Sequence, residues 1–297
     1  MEYVLKTQNL TKRFGTKKAV NGVSITIKKG DIYGFIGKNG AGKTTLMRMV
    51  LGAAVPTSGS IELFDGEKLN KARHRIGSLL ETPSLYKSCT AFENLKRFSK
   101  LTGNTDAEIN TILRFVGLGD TGSKKVGNFS LGMKQRMGIA IAMLGHPDFL
   151  ILDEPVNGLD PAGIKDIRDL LLRLNKELGM TILVSSHLLD ELAKIVTTYG
   201  IINNGVLVEQ ISAKELEAKC SHRLNITVDD PMKAKKLIQG VIGDVKMALK
   251  GNTIIIPSHL NDSAKINKAL VEGGVTVSEI VRQSGSLENY FIERIGG

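Results

Sequence analysis

The chain has 297 residues, 42% of them hydrophobic, with 40 Lys and Arg against 30 Asp and Glu for a net charge of +10. That much apolar material excludes a disordered tail and is enough for one large core and one small one. The two cysteines, Cys89 and Cys220, stand far apart without C-x-x-C spacing, which excludes a disulfide framework and a zinc site. The positive charge is spread along the whole chain, from Lys12 to Lys236, and such a distribution more often forms a solvated surface than a nucleic-acid or membrane patch.

The longest strongly apolar stretches, Met137 to Leu144 and Phe149 to Leu152, are far short of the ~20 residues needed to cross a bilayer. The opening residues lack a basic region followed by an apolar core, so a cytoplasmic chain with no secretory signal is expected.

The first element expected is a buried strand from Asp31 to Ile36, followed by a glycine-rich loop and a helix from Lys43 to Leu51. The loop, Gly37-Lys38-Asn39-Gly40-Ala41-Gly42-Lys43-Thr44, fits G-x-x-x-x-G-K-[ST]. Backbone N–H groups of such a loop wrap phosphates, its lysine bridges the β- and γ-phosphates, and its hydroxyl holds Mg²⁺. Strand, loop and helix is the context that this chemistry requires.

A second strand is expected from Arg75 to Glu81, and then the character changes. Thr90 to Gly145 shows helical periodicity with almost no strand signal, with helices over Ala91 to Ser99, Asp106 to Val116 and Leu131 to Leu144. Strands return at Phe149 to Asp153 and Met180 to Ser185, each passing from apolar into polar residues. Polar residues thus gather at the carboxyl ends of strands, where open α/β sheets place their ligands. Asp153 suits a magnesium shell, and Glu154 suits the general base for an attacking water. Alone, such an acidic pair is more often a helix cap or a loop, but the phosphate loop upstream reverses that weighting.

After Gly205 to Ile211 and a short helix from Ala213 to Lys219, strand, helix, strand, helix, strand and helix alternate from Leu224 to Ile295. The expected division is an α/β nucleotide-binding domain over 1–212, with a helical subdomain at about 88–145, and a small α+β domain over 213–297.

Phe129-Ser130-Leu131-Gly132-Met133-Lys134-Gln135-Arg136 resembles the signature motif of ATP-binding cassette (ABC) ATPases, and Asn157-Gly158-Leu159-Asp160-Pro161 resembles their D-loop. His187 stands where that family has its switch histidine. Five motifs in the family's order cover Lys6 to about Gln210. The resemblance implies a P-loop ABC ATPase core with an inserted helical subdomain, ATP and Mg²⁺ as cofactors, and a head-to-tail homodimer with ATP at its interface. It also implies docking on separate membrane permease subunits at the inner face of the cell membrane, with no nucleic acid expected. It makes Phe14 the aromatic that stacks on adenine, and Gly37, Asn39, Gly40, Ala41, Gly42, Lys43, Thr44 and Thr45 the phosphate and metal cradle. Ser130, Gly132 and Asp160 would serve the site shared with the second copy; Asp153 would support Mg²⁺, Glu154 would be the base, and His187 would contact the γ-phosphate.

Two departures stand out. Leu131 and Met133 replace a glycine and a glutamine of the usual signature, while Ser130 and Gly132 remain. Glu81 stands where the family normally has a glutamine that reaches Mg²⁺ and the water. A carboxylate accepts hydrogen bonds and binds metal but cannot donate unless protonated. A glutamate at this position resembles the ATPases of bacitracin- and lantibiotic-type exporters, and the ending Ser286 to Arg294 resembles the tail of drug and antibiotic exporter ATPases. Export of a peptide antibiotic or drug is therefore expected. A soluble ABC ATPase acting on nucleic acid or the ribosome, and the ATPase of an importer, are the alternatives.

Overall fold

The computed structural model describes residues 2–81, 83–186, 189–220, 223–245, 247–257, 259–283 and 287–295. The chain forms two units, Met1–Ala213 with Arg294–Gly297, and Lys214–Glu293.

The first unit opens with β1 (Tyr3–Phe14), β2 (Lys17–Val23) and β3 (Thr26–Lys28), before β4 (Ile32–Ile36), α1 (Lys43–Leu51) and β5 (Ser58–Leu63). β1 pairs antiparallel with β2, β3 and β5 in turn, making a four-stranded sheet that the sequence expectations leave out. Its pattern is hard to read because the register shifts between Leu10 and Lys12 and again between Lys12 and Arg13, so the alternation of apolar and polar residues breaks.

Next come α2 (Leu69–Arg73), β6 (Ile76–Leu79), and the three helices expected from periodicity, α3 (Ala91–Phe98), α4 (Asp106–Phe115) and α5 (Leu131–Ala142). Thr90 and Glu93 close a capping box on α3, and Thr105 and Glu108 close one on α4, which fixes both starts. α5 lies hard against β6. A Cβ on Gly77 would fall 1.9 Å from the Ala142 carbonyl oxygen, so only glycine allows this approach of backbone to backbone.

β7 (Phe149–Leu152), α6 (Pro161–Leu178), β8 (Thr181–Ser186), α7 (Leu189–Ala193), β9 (Thr198–Asn203) and β10 (Val206–Ser212) complete the unit. Six strands form one sheet in the order β10-β9-β4-β8-β7-β6, parallel except for β10 against β9. β4, β7 and β8 are buried along their whole length, which is why they read as unbroken apolar runs. α6 is a helix that the sequence expectations omit, because Asp160 and Pro161 are read there as part of a nucleotide loop. Here Asp160 is its N-cap, Pro161 its first residue, and Gly179 its left-handed C-cap.

One core joins the two sheets through α1. Leu46, Met47, Met49 and Val50 of α1 pack in a cluster with Val4, Leu5 and Ile27 of the first sheet and Phe35, Ile151 and Leu183 of the second. A helix buried on so many sides holds its amino terminus rigidly, and that terminus is where the phosphate loop ends.

The second unit opens within α8 (Ala213–Lys219) and continues with β11 (Arg223–Val228), α9 (Pro231–Ile242), β12 (Ala248–Lys250), β13 (Thr253–Pro257), α10 (Ser263–Glu272), β14 (Val277–Gln283) and most of α11 (Leu287–Ile295). Its sheet runs β12-β13-β11-β14, antiparallel throughout, which is the split β-α-β-β-α-β arrangement. Leu224, Ile226, Ile254 and Ile256 face Ala234 and Ile238 of α9 and Ile266 and Leu270 of α10 in a separate core. β12, only three residues long, is absent from the sequence expectations. Among the described residues no helix is long and apolar enough to cross a membrane.

Candidate nucleotide site

The site begins where β4 stops. Gly40 and Gly42 turn the loop with φ of 80° and 109°, and a Cβ on Gly42 would meet the Ala19 carbonyl oxygen at 2.4 Å. Gly42 is also the N-cap of α1 and supplies no side-chain cap, which leaves the first N–H groups of the helix to an anion.

Lys43 is 95% buried, and its ammonium donates to the Gly37 carbonyl at 2.6 Å. The same ammonium pairs with Glu154 Oε1 at 3.2 Å. β7 delivers the carboxylates. Thr44 Oγ1 donates to Asp153 Oδ2 and Ser185 Oγ donates to Asp153 Oδ1, both at 2.5 Å, while the Asp153 N–H reaches the Leu79 carbonyl at 2.8 Å. Ser185 also accepts from the Glu154 N–H at 2.9 Å, and Glu154 takes a left-handed φ of 50° just past the strand. Three neighbouring strands, β6, β7 and β8, therefore fix the two acidic residues.

Asn39, Gly40, Ala41, Gly42, Lys43, Thr44, Thr45, Asp153 and Glu154 line one cavity of about 330 Å³, together with Phe14, Lys17 and Ala19. Phe14, at the end of β1, is 56% exposed with the Lys12 ammonium 5.1 Å from its ring centre, so a face is open for stacking. Thr44 and Asp153 offer hard oxygen donors less than a full cage, the donor set of an ion that shares its shell with phosphates and water. They fit magnesium.

The structure does not bring every residue named from the sequence to this cavity. Ser130 caps α5, accepting from the Met133 N–H at 3.2 Å, and neither it nor Gly132 lines the cavity of its own chain. Asp160 accepts from the Gly163 N–H at 3.0 Å, and it too is absent from the lining. The two segments meet each other instead: a Cβ on Gly158 would lie 3.3 Å from the Leu131 side chain, and one on Gly132 3.8 Å from Leu159. Glu81 has a left-handed φ of 64°, is exposed, and pairs with Arg48 at 2.5 Å, outside the cavity lining. His187 lies outside the described residues.

Sequence reasoning missed Lys17 and Ala19 in the lining and Ser185 behind Asp153. Ser185 was detectable as the polar end of the strand beside the acidic one. The other two come to the site by tertiary folding alone.

The family model for ABC transporters matches residues 20–157. Over all of this chain and 99% of its own length, the bacitracin transport ATP-binding protein BcrA of Bacillus licheniformis is 45% identical. The lantibiotic transport ATP-binding protein SrtF of Streptococcus pyogenes is 44% identical over 69% of this chain and 89% of its own length. Among solved structures, cbiO1 from Clostridium perfringens, part of the ABC transporter complex cbiONQ, superposes with a TM-score of 0.67 at 28% identity, covering 74% of this chain and 92% of its own.

Proposed function

This chain belongs to the family of ABC transporter ATP-binding proteins, and from that premise we propose that it is the ATP-hydrolysing motor of an exporter for peptide antibiotics. Transport is its task, and ATP hydrolysis is the reaction that powers it. The observation that carries the chemistry is the convergence of Lys43, Thr44, Asp153 and Glu154 on one cavity at the amino terminus of α1.

Lys43 stands beside Glu154, close enough to hold the phosphate oxygens of ATP while the Glu154 carboxylate accepts a proton from the attacking water. Thr44 and Asp153 would hold Mg²⁺, which supplies charge neutralisation at the phosphates when bound. The loop N–H groups hold the phosphates in place, and Phe14 stacks on the base.

Ser130 and Gly132 stand away from their own chain's cavity, a placement that suits a head-to-tail dimer in which each copy completes the site of the other. The cargo path belongs to membrane subunits, beneath which the dimer sits as a peripheral protein of the inner face. Likeness to a bacitracin transport protein along the whole chain, second unit included, supports export over import and over a nucleic-acid role.

A test joins both levels. Expressed with its membrane subunits in a sensitive bacterium, the wild-type chain raises the inhibitory concentration of bacitracin. Glu154→Gln abolishes that gain, lowers phosphate release by about 10²- to 10⁴-fold, and still binds ATP. Hydrolysis at the normal rate removes Glu154 as the base; normal hydrolysis by the wild type without resistance removes the cargo.

A further inference from the structure

The second unit contains a cavity of about 810 Å³ that the ATPase cycle does not use. It arises from a mismatch in strand length. β12 pairs with β13 only from Ala248 opposite Ile255 to Lys250 opposite Thr253, so β13 runs on to Pro257 with no strand beside it on that edge among the described residues. Lys235 and Gln239 of α9 line the same cavity as Ile255 and Pro257 of that edge.

The walls have two characters. Val245, Met247, Ala248, Ile255 and Pro257 provide an apolar surface. Arg223, from β11, and Lys235, from α9, bring two cations from separate elements into the same cavity. Neither has a carboxylate within ion-pair distance among the described residues; the one bond of Arg223 is to the Lys219 carbonyl at 3.3 Å. The single acid in the lining, Asp244, is engaged by the Gln239 amide at 3.2 Å. A cavity of this volume lies within the range of roughly 300–1,000 Å³ for small-molecule sites, and unpaired cations facing an apolar wall select an anionic head on an apolar body.

We propose that this cleft binds a small amphipathic phosphate monoester, its head between Arg223 and Lys235 and its apolar part against Met247 and Ile255. A doubly charged head suits two cations that no carboxylate among the described residues pairs with, and the guanidinium fork matches phosphate oxygens in pairs. The site is independent of what the transporter exports.

Calorimetric titration of the full-length protein with octyl phosphate below its micellar concentration tests this. One molecule binds per chain. Inorganic phosphate and octyl glucoside, each carrying half of the recognition, bind at least about tenfold more weakly. Arg223→Glu and Lys235→Glu each weaken octyl phosphate by about tenfold or more, whereas Lys235→Arg retains it, and ATP hydrolysis in the absence of amphiphile stays at the wild-type rate in all three. An unchanged nucleotide-independent thermal transition shows that the second unit is folded in each variant. Absence of octyl phosphate binding, equal binding to the charge-reversed variants, or equal binding of octyl glucoside overturns the proposal.

Discussion

Both units of this chain build a sheet with helices over apolar strands, yet the first collects chemistry and the second does not. In the first, β4, β6, β7 and β8 are parallel, so all four end at the same edge. Whatever follows each strand meets there: the phosphate loop after β4, Glu81 after β6, Asp153 and Glu154 after β7, and Ser185 near the end of β8. In the second unit adjacent strands run in opposite directions, so the residues after β11 and β13 leave from opposite edges. Burial of alternating apolar residues there yields a stable layer with its polar ends scattered. A parallel sheet concentrates loop chemistry by geometry, and an antiparallel one must find its ligands in gaps between elements, as at the unzipped end of β12.

The contrast is broken most severely through the two cores. Leu183→Ala in β8 and Ile226→Ala in β11 each remove a fully buried side chain and each cost about 2–5 kcal/mol. In calorimetry with ATP, which stabilises only the unit that binds it, Leu183→Ala lowers the nucleotide-dependent transition and Ile226→Ala lowers the other. A single transition moved equally by both variants would show that the units fold as one.

Next in size is the shared site. A Cβ on Gly132 would make only an ordinary van der Waals contact, with Leu159 at 3.8 Å, so Gly132→Arg leaves the fold and the ATP affinity of a single chain unchanged. Phosphate release falls about a hundredfold because the second copy no longer fits over the nucleotide. Unimpaired turnover would mean that each chain hydrolyses ATP alone.

Smaller still is the effect at Glu81. Its pairing with Arg48 is exposed on both sides, so Glu81→Gln changes unfolding free energy by less than about 1 kcal/mol in urea melts. Hydrolysis stays intact while bacitracin resistance weakens; if neither changes, Glu81 has no part in coupling.

The mildest test concerns the helical segment. Backbone N–H groups of Thr90 and Thr105 hold the carboxyls of Glu93 and Glu108 below their ordinary value of 4.5. Groups with a lowered folded pKa stabilise above the unfolded value and lose that contribution as pH falls through and below it. Urea midpoints therefore drop from about pH 5 to pH 3, and the double variant Glu93→Gln, Glu108→Gln flattens that slope.

Much of the nucleotide unit is legible in the chain itself, because its informative residues are consecutive. A glycine loop, an apolar run ending in Asp153-Glu154 and the segment after Phe129 each carry their meaning within eight residues. β1 is illegible for the opposite reason: it serves three partners along twelve residues, and its bulges move side chains between faces. The Asp153–Ser185 and Arg48–Glu81 contacts join positions 32 and 33 apart, a relation that only the packed sheet creates. Asp160 shows a subtler limit, since a residue that begins a long helix and one that belongs to a nucleotide loop look alike in sequence.

The seam between β6 and α5, where Gly77 leaves no side chain between two backbones, has a mechanical meaning. Side chains at an interface act as a lubricating layer that lets elements slide by changing rotamers; main chain against main chain resists shear. The end of β6 presents Glu81, and the start of α5 presents Ser130 and Gly132. In the head-to-tail pair proposed above, Ser130 and Gly132 would serve the partner's nucleotide while Asp153, held by the Leu79 carbonyl of β6, would serve the chain's own, so a tilt of that joint would be felt at two ATP sites at once.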